Sequence, residues 1–420
     1  MLEPQSTVLF VLLVLIFGAL TWWLIVARRV GFRITAAVLS FVVAGTFGIL
    51  AVNKYFSYYQ TWSAAAADFS NPNPNSGPQI SQGSLLVGER SPAFDAHAVY
   101  LKLALQQGYT VHIDVAGKLS HLTRSVYIYL PPQYFEPQYK QYRFPVIELI
   151  HGQPGEPQDW INVVGVQATL NALIGKGLAK PAVLVMPDAN GGNTISLQCL
   201  NQVGGAQDLT YLAEDVPTAV AHMLRVQAPG LGWGVAGYSE GGFCAANMAL
   251  RFRYRYGAAA SISGYFSPYE NKLAHGLVNP FGSNKTLRAK NTPMEEVRAL
   301  APGARLPQFW LGAGKGNKLD VANAQYFWQE LQQYQANVPL VLTPGAGHTM
   351  ATWHAEVPPM LAWMTKALVA AVDNANRVAK DNAERAARRH LAAKRIAKGL
   401  PPYPTKGPGK GHPTPRPSHS

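Results

Sequence analysis

Two uncharged apolar runs at the front of the chain limit its architecture more than any other feature. Residues 7–27 form 21 positions without a charge and residues 34–52 form 19 more, with six residues between them. Each run is close to the ~20 residues an α-helix needs to cross a hydrocarbon core. The spacing therefore predicts a two-helix transmembrane hairpin in preference to a buried core hairpin of a soluble domain. A secretory signal peptide would carry basic residues ahead of its apolar stretch, whereas MLEPQST has Glu3 and no Lys or Arg. Arg28, Arg29 and Arg33 crowd the turn between the runs. Positive loops stay cytoplasmic, so the N-terminus and everything after Val52 are expected on the outside. The aromatic run Tyr55, Phe56, Tyr58, Tyr59 and Trp62 suits the outer headgroup layer, and Trp22 and Trp23 suit the inner one.

Charge placement narrows the partners. The net charge of +13 comes from 36 Lys and Arg against 23 Asp and Glu. Residues 371–420 hold eleven of the basic groups against three acids, while residues 63–370 carry 21 basic against 19 acidic groups. A nucleic-acid-binding domain should show its basic stripe on the folded body, so nucleic acid is not expected as a partner. With 48% hydrophobic residues there is ample material for a core. Two cysteines exclude a disulfide-dense scaffold and a four-cysteine zinc module.

The sequence divides into a hairpin anchor at 1–62, a flexible linker at 63–90, a folded body at 91–370 and a basic tail at 371–420. The linker text FSNPNPNSGPQISQGS has no apolar periodicity and should hold the body near the outer leaflet by tether length, not by packing. In the body, YTVHIDVAG and SVYIYLPP alternate apolar and polar residues and are expected to pair antiparallel. FPVIELIHG, AVLVMPDAN, WGVAGYS, AAASISGYF, LPQFWLGAG and VPLVLTPGAG read as buried strands. Helical patterns at 160–176, 213–225, 241–256, 321–335 and 355–370 fall between them. The alternation predicts an α/β fold, a mostly parallel sheet with helices on both faces and ligand-binding loops at the carboxyl ends of its strands.

The sharpest local signal is Gly237-Tyr238-Ser239-Glu240-Gly241, between the strand-like WGVA and a helical pattern. In G-x-S-x-G the strand-to-helix turn presents the serine hydroxyl in a strained conformation, and the flanking glycines avoid clashes with neighbouring backbone. The start of the following helix favours an oxyanion. A nucleophilic serine needs a base, and His275, His348, His354, His390, His412 and His419 follow it. His348 in PGAGHTMATW suits a loop over the serine, with His354, expected to enter the final helix, as its competitor. The acid must come from Glu240, Glu270, Glu295, Glu296, Asp320 or Glu330. Asp320 fits best because it follows the penultimate strand, where the group orienting the histidine sits; helix N-capping is its alternative role. The loop His151-Gly152-Gln153-Pro154-Gly155 can pair the backbone N–H of Gln153 with that of Glu240 as an oxyanion hole. His151 precedes the serine and reads as a loop organiser. Neither metal-ligand spacing nor a phosphate or dinucleotide loop is present, so no metal and no cofactor are expected.

With these residues placed, the span from about Gly108 to Met364 resembles the esterase D-type, or Putative esterase, family of α/β-hydrolases, which also includes the secreted mycolyltransferases of actinobacteria. The matching text is RSVYIYLPPQYF, YRFPVIELIHGQPGEPQDW, AVLVMPDANGG, DLTYLAEDVPTAV, GYSEGGFCAANMAL and PGAGHTMATWHAEVPPMLAWM. The resemblance implies an α/β-hydrolase fold with Ser239 as nucleophile, His348 as base, an acid at or near Asp320, and backbone donors at Gln153 and Glu240. The chain departs from the mycolyltransferase pattern in its hairpin, its HGQPG loop and its acid region, and is more similar to membrane-anchored actinobacterial esterases. Cys199 and Cys244 both fall near the edge of the expected site; in an oxidising exterior they could form a disulfide, the alternative being two free buried thiols.

In the tail, Asp373, Asp381 and Glu384 each precede an Arg by four residues, a pattern of a solvated helix. The Pro/Gly/Lys-rich text from Gly399 is expected to be disordered. Its charge would suit anionic envelope polymers or lipid headgroups. The combined expectation is a membrane-anchored, extracytoplasmic serine esterase hydrolysing a carboxylic ester of a cell-envelope lipid or acylated glycan. An acyltransferase using a sugar or lipid alcohol, and a non-catalytic envelope-binding protein on a hydrolase scaffold, are the alternatives.

Overall fold

Apolar residues that alternate between two faces set the layers of this protein. On the strand Val146–Ile150, Val146 and Ile150 enter one hydrophobic cluster while Ile147 and Leu149 enter another. Val183 and Val185 likewise oppose Leu184 and Met186, and Trp233 and Val235 oppose Ala236 and Tyr238. Side chains alternate with a period of two along a strand, so strands with apolar residues on both faces need cover on both. The computed structural model describes residues 2–56, 58–59, 61–63, 65–66, 98–192, 196–269, 280–345, 347–398 and 402. Nearly all of the expected linker at 63–90, and the end of the tail from Gly399 apart from Pro402, lie outside the described residues.

In chain order the elements begin with α1 (Thr7–Val26), α2 (Val30–Phe56), α3 (Ala98–Gln107), β1 (Tyr109–Ala116), β2 (Thr123–Leu130) and β3 (Val146–Ile150). Next come α4 (Asp159–Asn162), α5 (Val166–Gly175), β4 (Val183–Pro187), α6 (Val216–Met223), β5 (Gly230–Tyr238), α7 (Glu240–Arg251) and β6 (Tyr256–Ile262). The chain continues through α8 (Lys285–Lys290), α9 (Pro293–Arg298), β7 (Gln308–Gly314), α10 (Lys318–Leu331), β8 (Leu340–Thr343) and α11 (Met350–Ala397). The strands form one sheet in the order β1-β2-β4-β3-β5-β6-β7-β8. β1, β2 and β4 pair antiparallel, and every pairing from β4 to β8 is parallel. α6, α7 and α10 cover one face through side chains such as Val220, Phe243 and Phe327, and α4, α5 and the first part of α11 cover the other through Trp160, Leu170 and Met360. This is the α/β-hydrolase arrangement.

The helices depart from the sequence reading in several places: α3, α8 and α9 fall outside the expected helical patterns, and the pattern at 241–256 ends as a helix at Arg251. The run at 160–176 is two helices, because Gly165 adopts a left-handed φ of 66° between α4 and α5. The region 213–225 opens as a π-turn at Tyr211–Asp215 before α6. The final helix starts at Met350, five residues before the expected 355, and runs without a break to Ala397.

Contacts divide the chain into two compact units, Met1–Val369 and Ala370–Ser420. In the second unit the described helical residues are largely exposed, and Arg377 donates to Asn374 Oδ1 at 2.9 Å instead of pairing with Asp373. Exposed ion pairs in water gain little, so an amide competes on equal terms.

In the first unit α1 and α2 are each long and apolar enough to cross a membrane. They lie antiparallel as a hairpin: the Phe10 ring meets Phe47 at 5.4 Å, Trp23 meets Phe32 at 6.1 Å, and Lys54 Nζ donates to Thr7 Oγ1 at 3.0 Å. Their outward side chains, such as Phe41 at 82% exposure, are uncovered by the described residues, which suits a hydrocarbon surrounding. The expectation that tether length alone joins hairpin and body is corrected here. Tyr58 and Tyr59 pack onto the cluster formed by Trp160, Tyr238 and Met360. The Tyr58 hydroxyl donates to the buried Asp159 Oδ1 at 2.6 Å, and burial raises the Tyr58 phenol above its ordinary range. Asn53 holds Tyr59 from both sides, its Nδ2 donating to the Tyr59 carbonyl and its Oδ1 accepting the Tyr59 N–H. Tyrosine combines an apolar ring with a polar tip, so the residues read as a headgroup belt can serve as docking groups.

Tyr58→Phe is therefore expected to deprive a buried carboxyl of a donor and to destabilise the docked hairpin by about 1–3 kcal/mol. Thermal unfolding of the full chain in detergent should show a lower midpoint; an unchanged midpoint would contradict this account of the docking.

Candidate active site

Strand order explains why the site lies where it does. After β3 the chain moves one way across the sheet to β4, and after β5 it moves the other way to β6. In an open α/β sheet the crevice at such a reversal is the ligand site. The parallel register of β3 and β5 sets Ile150 opposite Gly237, so the loop leaving β3 and the turn leaving β5 emerge side by side.

That turn carries Ser239. Its φ of 56° and ψ of −122° lie in a region that a side chain occupies at a cost of order 1–3 kcal/mol, held here by the surrounding packing. The Ser239 N–H donates to the Ile262 carbonyl on β6 at 2.9 Å, and the Ser239 carbonyl accepts from Gly242 and Phe243 to open α7. A side chain at Gly237 would strike the Gly241 backbone, and one at Gly241 would strike the carbonyls of Ile150 and His151. The two glycines therefore allow strand, helix and the end of β3 to touch without side chains between them.

Ser239 Oγ lies 2.9 Å from His348 Nε2, and His348 Nδ1 lies 2.8 Å from Asp320 Oδ2. Ser239 is half-buried, Asp320 is buried and the imidazole is partly exposed. With the carboxylate accepting from Nδ1–H, Nε2 is left as the acceptor for the serine hydroxyl. The capping role left open for Asp320 belongs to Asn317, whose Oδ1 accepts from the N–H groups of Leu319 and Asp320. The Asp320 carboxylate is thereby available to the imidazole. His354, the competing base, sits on α11 with its Nε2 buried and without a hydrogen-bond partner, and burial lowers its pKa. Glu270 and His275 lie outside the described residues.

His151 organises the neighbouring loop. Buried, with its pKa lowered by desolvation, it donates from Nδ1 to the Gly152 carbonyl at 2.8 Å and accepts the Ala189 N–H on Nε2 at 3.1 Å, joining the ends of β3 and β4. A Cβ at Gly152 would sit 3.2 Å from Ser239 Cβ, so this loop passes directly against the serine. Gln153 lines the same cleft as Ser239 and His348, and its side-chain carbonyl accepts from Asn190 Nδ2.

Glu240, expected to contribute only its backbone, has a second part. Its buried carboxyl accepts from Ser196 Oγ, from the Gln198 N–H at 3.2 Å and from the Tyr269 hydroxyl at 3.4 Å. Next to it Cys199 and Cys244 are disulfide-bonded with their Cα atoms 5.6 Å apart. The loop after β4 is thus fixed to α7 at two points, with Gln198 and Cys199 both at positive φ. The disulfide is the pairing the two cysteines offered, whereas no periodicity signals the Glu240 contacts, which reach residues 44 and 42 positions away in sequence. Also unread in the sequence were Trp353, whose ring stacks on Tyr238 at 4.3 Å and meets the His348 edge at 5.6 Å, and the hairpin residues on the cleft. Among the described residues no group of three or more His, Cys, Asp or Glu could hold a metal ion.

Residues 121–364, more than half of the chain, match the family described as Putative esterase. An uncharacterised protein of Corynebacterium glutamicum is 24% identical over 269 residues, and the chain spans 62% of that relative's length and matches it over 62% of its own. Among solved structures, a ferulic acid esterase superposes with a TM-score of 0.54 at 19% identity, covering 62% of this chain and 98% of that one. An S-formylglutathione hydrolase from Agrobacterium tumefaciens gives 0.51 at 15% identity over 62% and 96%. The fluorophosphonate-binding serine hydrolase F of Staphylococcus aureus gives 0.50 at 17% over 61% and 98%. These likenesses establish a shared fold.

Burial pushes the Glu240 carboxyl up to about 7, against the pull of its Ser196, Gln198 and Tyr269 donors. A carboxyl that binds its proton more tightly folded than unfolded contributes its full stability below about 4.5 and loses it as pH rises through about 7. The stability of wild type relative to Glu240→Gln should accordingly fall across that window in a thermal-unfolding series, and a difference independent of pH would refute the assignment.

Proposed function

Because the chain belongs to the Putative esterase family of α/β-hydrolases, we propose that it is a serine ester hydrolase acting outside the cytoplasm, at the membrane its N-terminal hairpin spans. One observation carries this reading: an unbroken relay from Ser239 Oγ through His348 to Asp320, at 2.9 and 2.8 Å, that starts from a strained strand-to-helix turn. Both distances are those of proton-transfer partners.

In this mechanism Ser239 Oγ attacks the ester carbonyl carbon while His348 Nε2 takes the hydroxyl proton. Asp320 keeps the imidazole in the tautomer with Nδ1–H and offsets the positive charge that forms. The backbone N–H groups of Gln153 and Glu240 receive the oxyanion, helped by the positive end of α7. When the tetrahedral intermediate collapses, the proton on Nε2 goes to the leaving alcohol. Water, activated by the same nitrogen, then releases the acid from the acyl-enzyme. The positive turn at Arg28, Arg29 and Arg33 supports the outside location of the body, and the hairpin supports a substrate at the membrane surface, an envelope lipid or an acylated glycan. The tail, with eleven basic groups in residues 371–420, supports binding to anionic envelope polymers.

Ser239→Ala is expected to lower kcat on simple acyl esters by at least about 10³-fold and to abolish labelling by a fluorophosphonate, and Asp320→Asn to lower kcat by about 10²–10⁴-fold with labelling much slowed. Wild-type turnover in Ser239→Ala would end the proposal. For the tail, retention of the full chain on immobilised polyphosphate should weaken steeply with salt and disappear when residues 371–420 are removed; equal retention of the truncated chain would exclude the tail as the binding element.

A further inference from the structure

The cleft that holds Ser239 and His348 has a volume of about 470 Å³, within the usual span for small-molecule pockets. Its walls come from two sources. One is the catalytic body, through Gly152, Gln153 and Trp353. The other is the membrane hairpin, through Ile49, Leu50 and Val52 of α2 and the aromatic residues that follow. We propose that this hairpin wall is the acyl-binding subsite, and that the substrate is an ester whose long acyl chain passes from the outer half of the bilayer directly to Ser239. The inference rests on the ester-hydrolase reading above and adds to it the class of substrate.

Three observations carry it. The hairpin wall is mainly aliphatic and aromatic, and its polar atoms are engaged within the protein: Asn53 with the Tyr59 backbone, the Tyr58 hydroxyl with Asp159 and the Trp62 indole N–H with the Leu2 carbonyl. A sugar placed there would have its hydroxyls stripped of water with little to replace it, whereas a hydrocarbon chain gains by the same contact. This favours a lipid over a glycan in the cleft. Esters of this kind join an apolar acid to a polar alcohol, so the apolar wall takes the acyl part. Second, the wall is continuous with the membrane-facing surface. Ile49 and Val52 line the cleft yet are 73% and 59% exposed, while Leu50 between them is 6% exposed. A chain can follow these residues from lipid to serine without crossing water. Third, the wall is fixed to the body. The bond from Tyr58 to Asp159 and the paired bonds between Asn53 and Tyr59 hold the end of α2 against the cluster beneath the site. A tether would give no such constant shape.

The test uses the full chain in phospholipid nanodiscs. The ratio of kcat/KM for a palmitoyl ester to that for a butyryl ester of the same alcohol is measured in wild type and in Leu50→Trp, which fills the wall. The ratio is expected to fall about tenfold or more; an unchanged ratio with both esters still hydrolysed would overturn the subsite and leave the hydrolase reading standing. A second measurement needs no variant: a long-chain alkyl fluorophosphonate bearing a terminal diazirine is attached to Ser239 and photolysed. Cross-links within residues 49–62 support the proposal, and cross-links confined to residues 152–154 and 348–353 overturn it. Failure of the probe to label Ser239, together with no turnover of either ester, would bring down the hydrolase reading and the subsite with it.

Discussion

The close approach of three backbones at the Gly237–Gly241 turn is the contact on which the rest of the site depends. The end of β3, the end of β5 and the start of α7 meet there with no side chain between them. The meeting holds Ser239 at a φ of 56° and sets the HGQPG loop against it. Packing of the helix and sheet maintains a conformation the serine would not choose. Everything else in the cleft is arranged around that fixed hydroxyl. His348 comes from the loop after β8 and Asp320 from the helix after β7, so the relay joins three separate crossings of the sheet.

Polar groups under and beside the site keep it rigid. His151 joins two strand ends, Asn317 caps α10 in place of Asp320, and the Glu240 carboxyl and the disulfide fix the loop after β4 to α7. Each of these groups has found partners, which is the condition for keeping a polar atom out of water. β3 departs from that condition at one atom, because Glu148 Oε1 is buried without a hydrogen-bond partner. Glu148 in VIELI is fully buried, desolvation pushes its carboxyl up to about 8, and Tyr256 supplies a hydroxyl donor at 2.8 Å. A neutral carboxyl there lets an acidic residue occupy the middle of an apolar strand.

The hairpin joins two length scales. Helices made for a hydrocarbon layer have few polar groups with which to bind a protein, so docking falls to the residues just past α2, where tyrosine can pack and hydrogen-bond together. The same short segment therefore follows the apolar hairpin, fastens it to the body and closes one side of the cleft. One wall of the cleft thus belongs to a helix that is long and apolar enough to cross a membrane.

Sequence determined what is local. Two runs without charge gave the hairpin, period-two and unbroken apolar patterns gave all eight strands and the antiparallel start, and glycine spacing gave the turn at Ser239. These follow from bond geometry and burial within a few residues, so neighbours along the chain carry enough information. Helix ends were less legible, since Gly165 breaks one helix and α11 runs through a boundary that composition suggested. Tertiary structure alone decided which residues meet at a distance: that His348 and not His354 faces Ser239, that Asn317 frees Asp320 from capping, that Glu240 turns its side chain to the loop after β4, and that the aromatic run past α2 docks on the body. Those choices depend on strand order and on packing between segments tens to hundreds of residues apart, and no pattern within a single segment encodes the position of its eventual neighbour.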